Sequence, residues 1–416
     1  MTTELRVPDE SDWDTWFGPL ETAFGGVATS REMQDLWRGL TEFDRSLGAW
    51  DGDLCVGTAS NISFQLSVPG GALLPTAGLT MVSVAATHRR RGILTSMMRR
   101  QLDDVRARGE AVAVLTASEP VIYGRFGYGT GAFELMARID TTRVSLSVPD
   151  GTDAVRLRYA QVTDEAVHRT CEEIYARAVF ERPGMLARQP GWDRALLADP
   201  ETGRDGASAL QCVLAEDGQG RALGFARYRV KPDWGPAGAD GEVQLTDLEV
   251  LPGERAPQTY AALWRFLFDL DLTSALTVRE RPLDDAWQHL VSDVRRCLPT
   301  TRDALHVRLV DVGAALEART YRTPVDVVFE VEDAFCPWNE GRWRLTGDAK
   351  GAVCVRTADA AEVALSVREL GAAYLGGVSL VSLAAAGRVR ELREGVVREV
   401  STAFGSEVAP RLPHKF

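Results

Sequence analysis

The chain has 416 residues, 45% of them hydrophobic and 25% charged, with a formal net charge of −12. That length exceeds one ordinary hydrophobic core, so two or three domains are expected. The acidic balance argues against general affinity for nucleic acid or an anionic membrane surface. The six cysteines form no C-x-x-C pair, and the five histidines are scattered without an H-E-x-x-H pattern. Neither zinc nor a redox dithiol is signalled, and no metal is expected. "MTTELRVPDESDWDTW" carries no secretory signal, and no apolar run reaches membrane-spanning length. The expectation is a cytoplasmic protein with reduced thiols and no membrane partner.

In chain order, residues 1–148 read as mixed α/β. "TEFDRSLGAW" and "LCVGTASNISFQLSV" are strands joined at a "DGD" turn, and "LLPTAGLTMVSVAA" is a strand. Ile93, Leu94, Met97, Met98, Leu102 and Val105 recur at helical spacing, giving a helix from Gly92 to Gly109. "AVAVLTA" is a short continuous strand of the buried parallel kind, and "YGRFGYGTGAF" turns on four glycines. The polar segment 144–153 marks a boundary. A second α/β stretch follows: helix "VHRTCEEIYARAVF", strands "ALQCVLAE", "ALGFARYRV" and "EVQLTDLEV", then helix "APQTYAALWRFLFDL". From about residue 300 a third unit begins with "LHVRLVDVGAALEARTY". Strands "DVVFEVED", "RWRLTG" and "GAVCVRT" follow, then helices around "VRELGAAYL" and "VSLAAAGRVRELREGVVREVSTAF". "EVAPRLPHKF" reads as an extended tail.

"VSVAATHRRRGILTSMMRRQL" can be laid over "LEVLPGERAPQTYAALWRFLF", each a strand, a short loop and an amphipathic helix. The second copy keeps Arg255 opposite Arg89, but has Ala256, Pro257 and Gln258 opposite Arg90, Arg91 and Gly92.

His88 to Arg100 gathers five arginines and no acid in this acidic chain. Cations at a helix N-terminus oppose its dipole, and these also repel one another. A docked anion reverses the sign of the arrangement, because orphan N–H groups and guanidiniums then face it. Gly92, lacking a Cβ, lets the backbone approach a phosphate. The competing reading is a solvated basic turn.

This segment resembles motif A of the GNAT N-acetyltransferase superfamily, R/Q-x-x-G-x-G/A. Arg89 and Gly92 match its first and fourth positions, and Leu94 departs from the final small residue. "LPTAGLTMVSVAATHRRRGIL" together with "ASEPVIYGRFGYG" more narrowly resembles the Eis (enhanced intracellular survival) acetyltransferases. The likeness extends over the whole layout, including "DVGAALEARTY" and a terminal phenylalanine.

The resemblance implies an α/β protein with mixed sheets. Residues 1–148 would be a catalytic GNAT domain and 149–298 a second, degenerate one. Residues 299–416 would be a sterol-carrier-protein-like domain whose tail reaches the active site. It implies acetyl-CoA as donor, a small-molecule amine acceptor and a homo-oligomer, a hexamer. Val82, Ser83 and Val84 would line the pantetheine arm. Arg89, Arg90, Arg91, Gly92, Ile93, Leu94 and Thr95 would hold the pyrophosphate, with Ser118 and Glu119 also on the donor. Tyr123 would be the general acid and the terminal carboxylate of Phe416 the general base. Phe24 and Trp37 would wall the acceptor pocket.

Read from the residues alone, the two valines are core positions, Phe24 and Trp37 are equally core or pocket wall, and the terminus is by default frayed. Spacing does not separate Tyr123 from Tyr128 as the acid. Lys415 is an odd neighbour for a base serving a polycation, if its side chain points into the pocket. The expected activity is acetylation of primary amines of aminoglycoside-, polyamine- or lysine-like molecules. The rival readings are a lipid-binding or scaffold protein, a longer acyl donor, and acetylation of protein lysines.

Overall fold

The computed structural model describes residues 3–236 and 238–416. The first stretch forms β1 (Glu4–Arg6), α1 (Trp13–Ala23), α2 (Arg31–Leu40), β2 (Ser46–Asp51), β3 (Leu54–Ser67), β4 (Leu73–Val84), α3 (Ile93–Ala107), β5 (Val112–Leu115) and β6 (Gly129–Asp140). The second forms β7 (Arg156–Ala160), α4 (Glu165–Ala178), β8 (Leu186–Ala187), α5 (Trp192–Ala195), β9 (Gln211–Glu216), β10 (Ala222–Lys231), β11 (Trp234–Gly235), β12 (Gly238–Ala239), β13 (Gly241–Val250), α6 (Ala256–Phe268), β14 (Thr273–Arg281) and α7 (Trp287–Leu290). The third forms β15 (Thr300–Leu309), α8 (Val312–Glu317), β16 (Val325–Glu332), β17 (Gly341–Asp348), β18 (Gly351–Arg356), β19 (Val363–Ser366), α9 (Val367–Ala373), α10 (Leu380–Ala385), β20 (Val389–Glu391) and α11 (Val396–Phe404).

One continuous sheet runs in the order β1-β2-β3-β4-β5-β15-β6-β14-β13-β10-β9-β7, with β8 on β3. β5 is apolar and buried along its whole length, so its free edge needs a partner. β15 supplies it, antiparallel to both β5 and β6, with His306 opposite Leu115 and Leu305 opposite Ala132. Residues 300–309, which open the third stretch in sequence, therefore sit inside the first unit's sheet. β6 in turn pairs with β14 of the second unit. A separate sheet, β18-β17-β16-β19-β20, carries the third unit. A single hydrophobic core joins Phe64 of β3, Leu305, Val307 and Leu309 of β15, Phe329 of β16 and, from the tail, Leu412 and Phe416.

The internal echo is three-dimensional. β4 leads into α3 as β13 leads into α6, and each strand has a parallel partner, β5 and β14. Two places differ from the sequence reading. Helices α1 and α2 form where no element was read. Trp13, Trp16, Phe17 and Leu20 make the buried stripe of α1 around an internal Pro19. The segment read as helical over 381–404 breaks, because Gly387 takes a φ of +72° and Val389–Glu391 pair with β19. Among the described residues no helix is long and apolar enough to cross a membrane, and no group of three or more His, Cys, Asp or Glu is placed to hold a metal ion.

Candidate active site

β4 and β5 pair only where Thr76–Leu79 face Val112–Leu115. Beyond Leu79 the strands part. On its other side β4 carries a bulge against β3: Ser83 pairs with Thr58 and Thr80 with Ser60, which leaves Met81 and Val82 opposite Ala59. Met81 holds a φ of +52°, and Thr58 Oγ1 donates to the Met81 carbonyl at 2.7 Å, which pins the distortion. Thr58 Oγ1 also lies 2.7 Å from Ser83 Oγ. The backbone of Met81 and Val82 is thereby released from both ladders, at the place where a cavity of about 800 Å³ opens between the strands.

Val82, Ser83 and Val84 line that cavity. So do Arg89, Arg90, Gly92, Ile93, Leu94 and Thr95 at the start of α3. No side chain caps α3, and its first residue is preceded by Gly92 at φ +82° with open space where a Cβ would stand. Arg90 also takes a positive φ, +63°. Uncapped first-turn amides, a stripped backbone and two guanidiniums make an anion cradle of the kind a diphosphate requires. Arg91 stands outside the cavity wall; its Nη2 donates back to the Thr87 carbonyl at 2.9 Å. His88 lines the cavity, tied to Asp51 at 3.2 Å and to Thr87 Oγ1 at 2.8 Å.

Ser118, Glu119 and Tyr123 line the cavity from the loop after β5, whereas Tyr128 is fully buried behind Tyr123, ring to ring at 6.0 Å. Burial, reinforced by Glu119, pushes the Tyr123 phenol up to about 12, so it stays protonated at neutral pH. The loop is braced by the third unit. Phe126 meets Phe335 at 5.0 Å, Gly124 lies against the Arg368 guanidinium, and Gly127 against Arg308. Arg308 is locked to Asp333 at 2.7 Å with both side chains shut off from solvent. The same Phe335 ring stacks under Arg99 of α3 at 3.9 Å.

The tail is not frayed. From Pro410 to His414 it is buried, and Phe416 lines the cavity at 9% exposure. It is anchored along its length. Asp284 accepts from the Ala409 amide at 2.9 Å, Arg411 N donates to the Pro183 carbonyl at 2.9 Å, and Arg411 pairs with Glu249 at 2.6 Å. The Phe416 ring packs on Phe64 at 4.9 Å, and Thr116 Oγ1 donates to one oxygen of the Phe416 terminal carboxylate at 3.3 Å. Lys415 points away from the cavity, toward Glu134 and Glu280, each 3.6 Å distant.

Phe24 and Trp37 line the outer cavity with Phe17, Leu20, Glu21 and Val27. Glu21 Oε1 accepts from Thr29 N at 2.7 Å and Gln34 Nε2 at 3.1 Å; the backbone donor holds its carboxyl below the usual range. The cavity brings together every expected site residue except Arg91. It adds Met81, Thr116, Ile122 and Arg125, which the sequence reading did not single out. Of these Ile122 and Arg125 had a signal, their place inside "IYGRFG", and Met81 had one inside "LPTAGLTMVSVAATHRRRGIL".

The corresponding cleft of the second unit is filled. Arg281, at the end of β14, donates to the Leu248 carbonyl of β13 at 3.3 Å and bonds Asp285, which also takes the Tyr260 hydroxyl. Trp264 and Trp287 stack beneath at 5.7 Å. Pro257 removes one amide from the first turn of α6. Arg255 remains at the uncapped start of α6, but the basic and glycine positions that follow Arg89 are replaced by Ala256, Pro257 and Gln258.

Comparison with known proteins places these features. Family models described as acetyltransferase (GNAT) domain match residues 4–131 and 184–309, and a sterol carrier protein domain model matches residues 312–413. The chain is 67% identical, over the full length of both, to an uncharacterized N-acetyltransferase of Streptomyces avermitilis. It is 35% identical to N-acetyltransferase Eis of Mycobacterium tuberculosis, again over 100% of both chains. The crystal structure of Eis1 from Mycobacterium abscessus is 32% identical and superposes over 100% of both chains with a TM-score of 0.82. The likeness at residue level and the open cleft of the first unit agree: the chain is an acyltransferase belonging to the Eis family of GNAT N-acetyltransferases.

Proposed function

We propose that the protein transfers the acetyl group of acetyl-CoA to the primary amine of a small cationic acceptor of the aminoglycoside, polyamine or lysine-like kind. The observation that carries this reading is the meeting of an uncapped, arginine-flanked helix N-terminus, the half-buried phenol of Tyr123 and Phe416 in one cavity. Arg89, Arg90 and the first-turn amides of Ile93, Leu94 and Thr95 neutralise the donor's diphosphate. The bulged backbone at Val82, with Ser83 and Val84, cradles the pantetheine arm and offers amides to the thioester carbonyl. Ser118 and Glu119 border the same channel.

The donor supplies an acetyl thioester, which makes the thiolate the leaving group. The carboxylate of Phe416 takes a proton from the acceptor's ammonium, directly or through a water; the freed amine bonds to the thioester carbonyl carbon, the C–S bond breaks, the phenol of Tyr123 protonates the departing sulfur, and the second proton lost by nitrogen as the amide forms restores the phenol. Phe24 and Trp37 hold the body of the acceptor against the outer wall. Thiol release from acetyl-CoA across an amine panel, with mass spectrometry of the products, tests the reading. Tyr123→Phe is expected to lower kcat about a hundredfold or more with little change in donor binding. Deleting Phe416 is expected to abolish turnover while coenzyme A still binds. A panel that releases no thiol overturns the reading.

A further inference from the structure

The penultimate residue of the tail is held in a way the acetyl-transfer chemistry does not by itself require. Lys415 is about half exposed, yet its ammonium sits 3.6 Å from Glu134 Oε1 on β6 and 3.6 Å from Glu280 Oε1 on β14. Glu134 has a side chain only 3% exposed, and its Oε2 has no hydrogen-bond partner among the described residues. Glu280 adopts a φ of +56°, a conformation that residues with a Cβ rarely take. The β14–β6 ladder is irregular at this point, between Val278 and Arg281. The strand is thus distorted where its carboxyl reaches the lysine. Because β6 belongs to the first unit and β14 to the second, the lysine closes a three-way junction of both units and the tail.

We propose that Lys415, clamped between Glu134 and Glu280, is the positioning residue that sets the terminal carboxylate of Phe416 in the cavity. This rests on the reading of that carboxylate as the base. The ring of Phe416 rests against Phe64, and the Thr116 hydroxyl holds one oxygen of its carboxylate, a single contact about which the group can still turn. The clamp one residue upstream fixes the direction in which it enters, with Lys415 outward and Phe416 inward. A single exposed ion pair does little. Here one ammonium serves two carboxyl groups, one of them deeply buried, and its removal leaves Glu134 without this partner and Glu280 with only the weaker influence of Arg411. Proton transfer is steep in distance, so a small displacement of the carboxylate shows in turnover before it shows in donor binding.

The test uses the full chain with Lys415→Met, Lys415→Arg, Glu280→Gln and the Lys415→Met/Glu280→Gln double variant. Steady-state thiol release is followed with spermidine, kanamycin and lysine methyl ester, and coenzyme A affinity is measured by calorimetry. We expect kcat to fall about tenfold in Lys415→Met and in Glu280→Gln, with the KM for acetyl-CoA unchanged. Lys415→Arg restores the rate, and the double variant falls no further than either single one, as residues acting through one contact do. Normal kcat in Lys415→Met, or losses that multiply in the double variant, overturns the clamp. Should Lys415→Met fail to fold, as loss of coenzyme A binding would reveal, Glu280→Gln carries the same test. Deletion of Phe416 separates the two layers. Unchanged turnover on deletion removes the base reading and the clamp with it; lost turnover beside a normal Lys415→Met removes the clamp alone. An amine panel that releases no thiol overturns both.

Discussion

Arg411 Nη1 stands 2.6 Å from Glu249 Oε1, and both side chains are only 7% exposed. The contact is a close charge pair between the tail and β13, off line for a hydrogen bond. Burial raises the Glu249 carboxyl, and Arg411 opposes that rise. Removing one member of a buried pair strands the other, at a cost of about 3–5 kcal/mol. Arg411→Ala is therefore expected to lower the unfolding free energy by roughly that amount in a denaturant titration. It is also expected to lower turnover more than coenzyme A affinity, because the tail and not the donor cradle is loosened. Unchanged stability would show that the tail is not anchored there.

Two glycines of the Tyr123 loop should respond oppositely to alanine. A Cβ on Gly124 would meet the Arg368 guanidinium at 2.8 Å, the far end of an exposed and flexible side chain. A Cβ on Gly127 would meet Arg308 at the same distance, but Arg308 is immobilised by Asp333, and Gly127 has a φ of +85°. Backbone strain of about 1–2 kcal/mol adds to that clash. Gly127→Ala is expected to lower both Tm and kcat, while Gly124→Ala folds with near-normal stability. Equal tolerance of both changes would contradict the bracing of this loop by the third unit.

His414 links the fold to acid. Its ring is fully buried between Tyr175 and Trp192, and neither nitrogen has a partner among the described residues. Burial, reinforced by Arg188, pushes its pKa down from 6.5 to about 3. The unfolded chain thus binds a proton that the folded chain refuses throughout that window. The resulting stability is present above about pH 6.5 and is lost as pH falls toward 3. His414→Leu is expected to move the acid unfolding midpoint to lower pH, read by circular dichroism. An unmoved midpoint would assign acid sensitivity to other groups.

The residues that line the cavity at the start of α3 are well marked in the sequence, and the rest unevenly. The arginine loop was legible because charge, glycine and helix onset coincide within a few residues, and its decay in the second copy was legible at Pro257. Arg91 shares the composition of its neighbours but turns back to Thr87, which only the positive φ values of Arg90 and Gly92 decide. The separation of Tyr123 from Tyr128 depends on which ring faces the cavity, a property of packing and not of spacing. The insertion of β15 between β5 and β6 is a pairing across roughly 160 to 200 residues that no local pattern encodes. Helix α1 is obscured by Gly18 and Pro19 in its interior, whereas Met33, Leu36, Trp37 and Leu40 of α2 do recur at helical spacing. The route of the tail was implied by the likeness to a family, since a segment with two prolines and a terminal position carries no signal of burial.

We propose a single nucleotide-thioester cradle, at the start of α3, with the matching cleft of the second unit closed by Arg281. Calorimetric titration with coenzyme A tests it most directly, on the parent chain and on Arg89→Ala and Arg90→Ala. The expected result is one molecule bound per chain, with affinity reduced about tenfold in each arginine variant and more weakly dependent on salt. Two molecules per chain, none in a folded sample, or arginine variants that bind as the parent does would contradict the account.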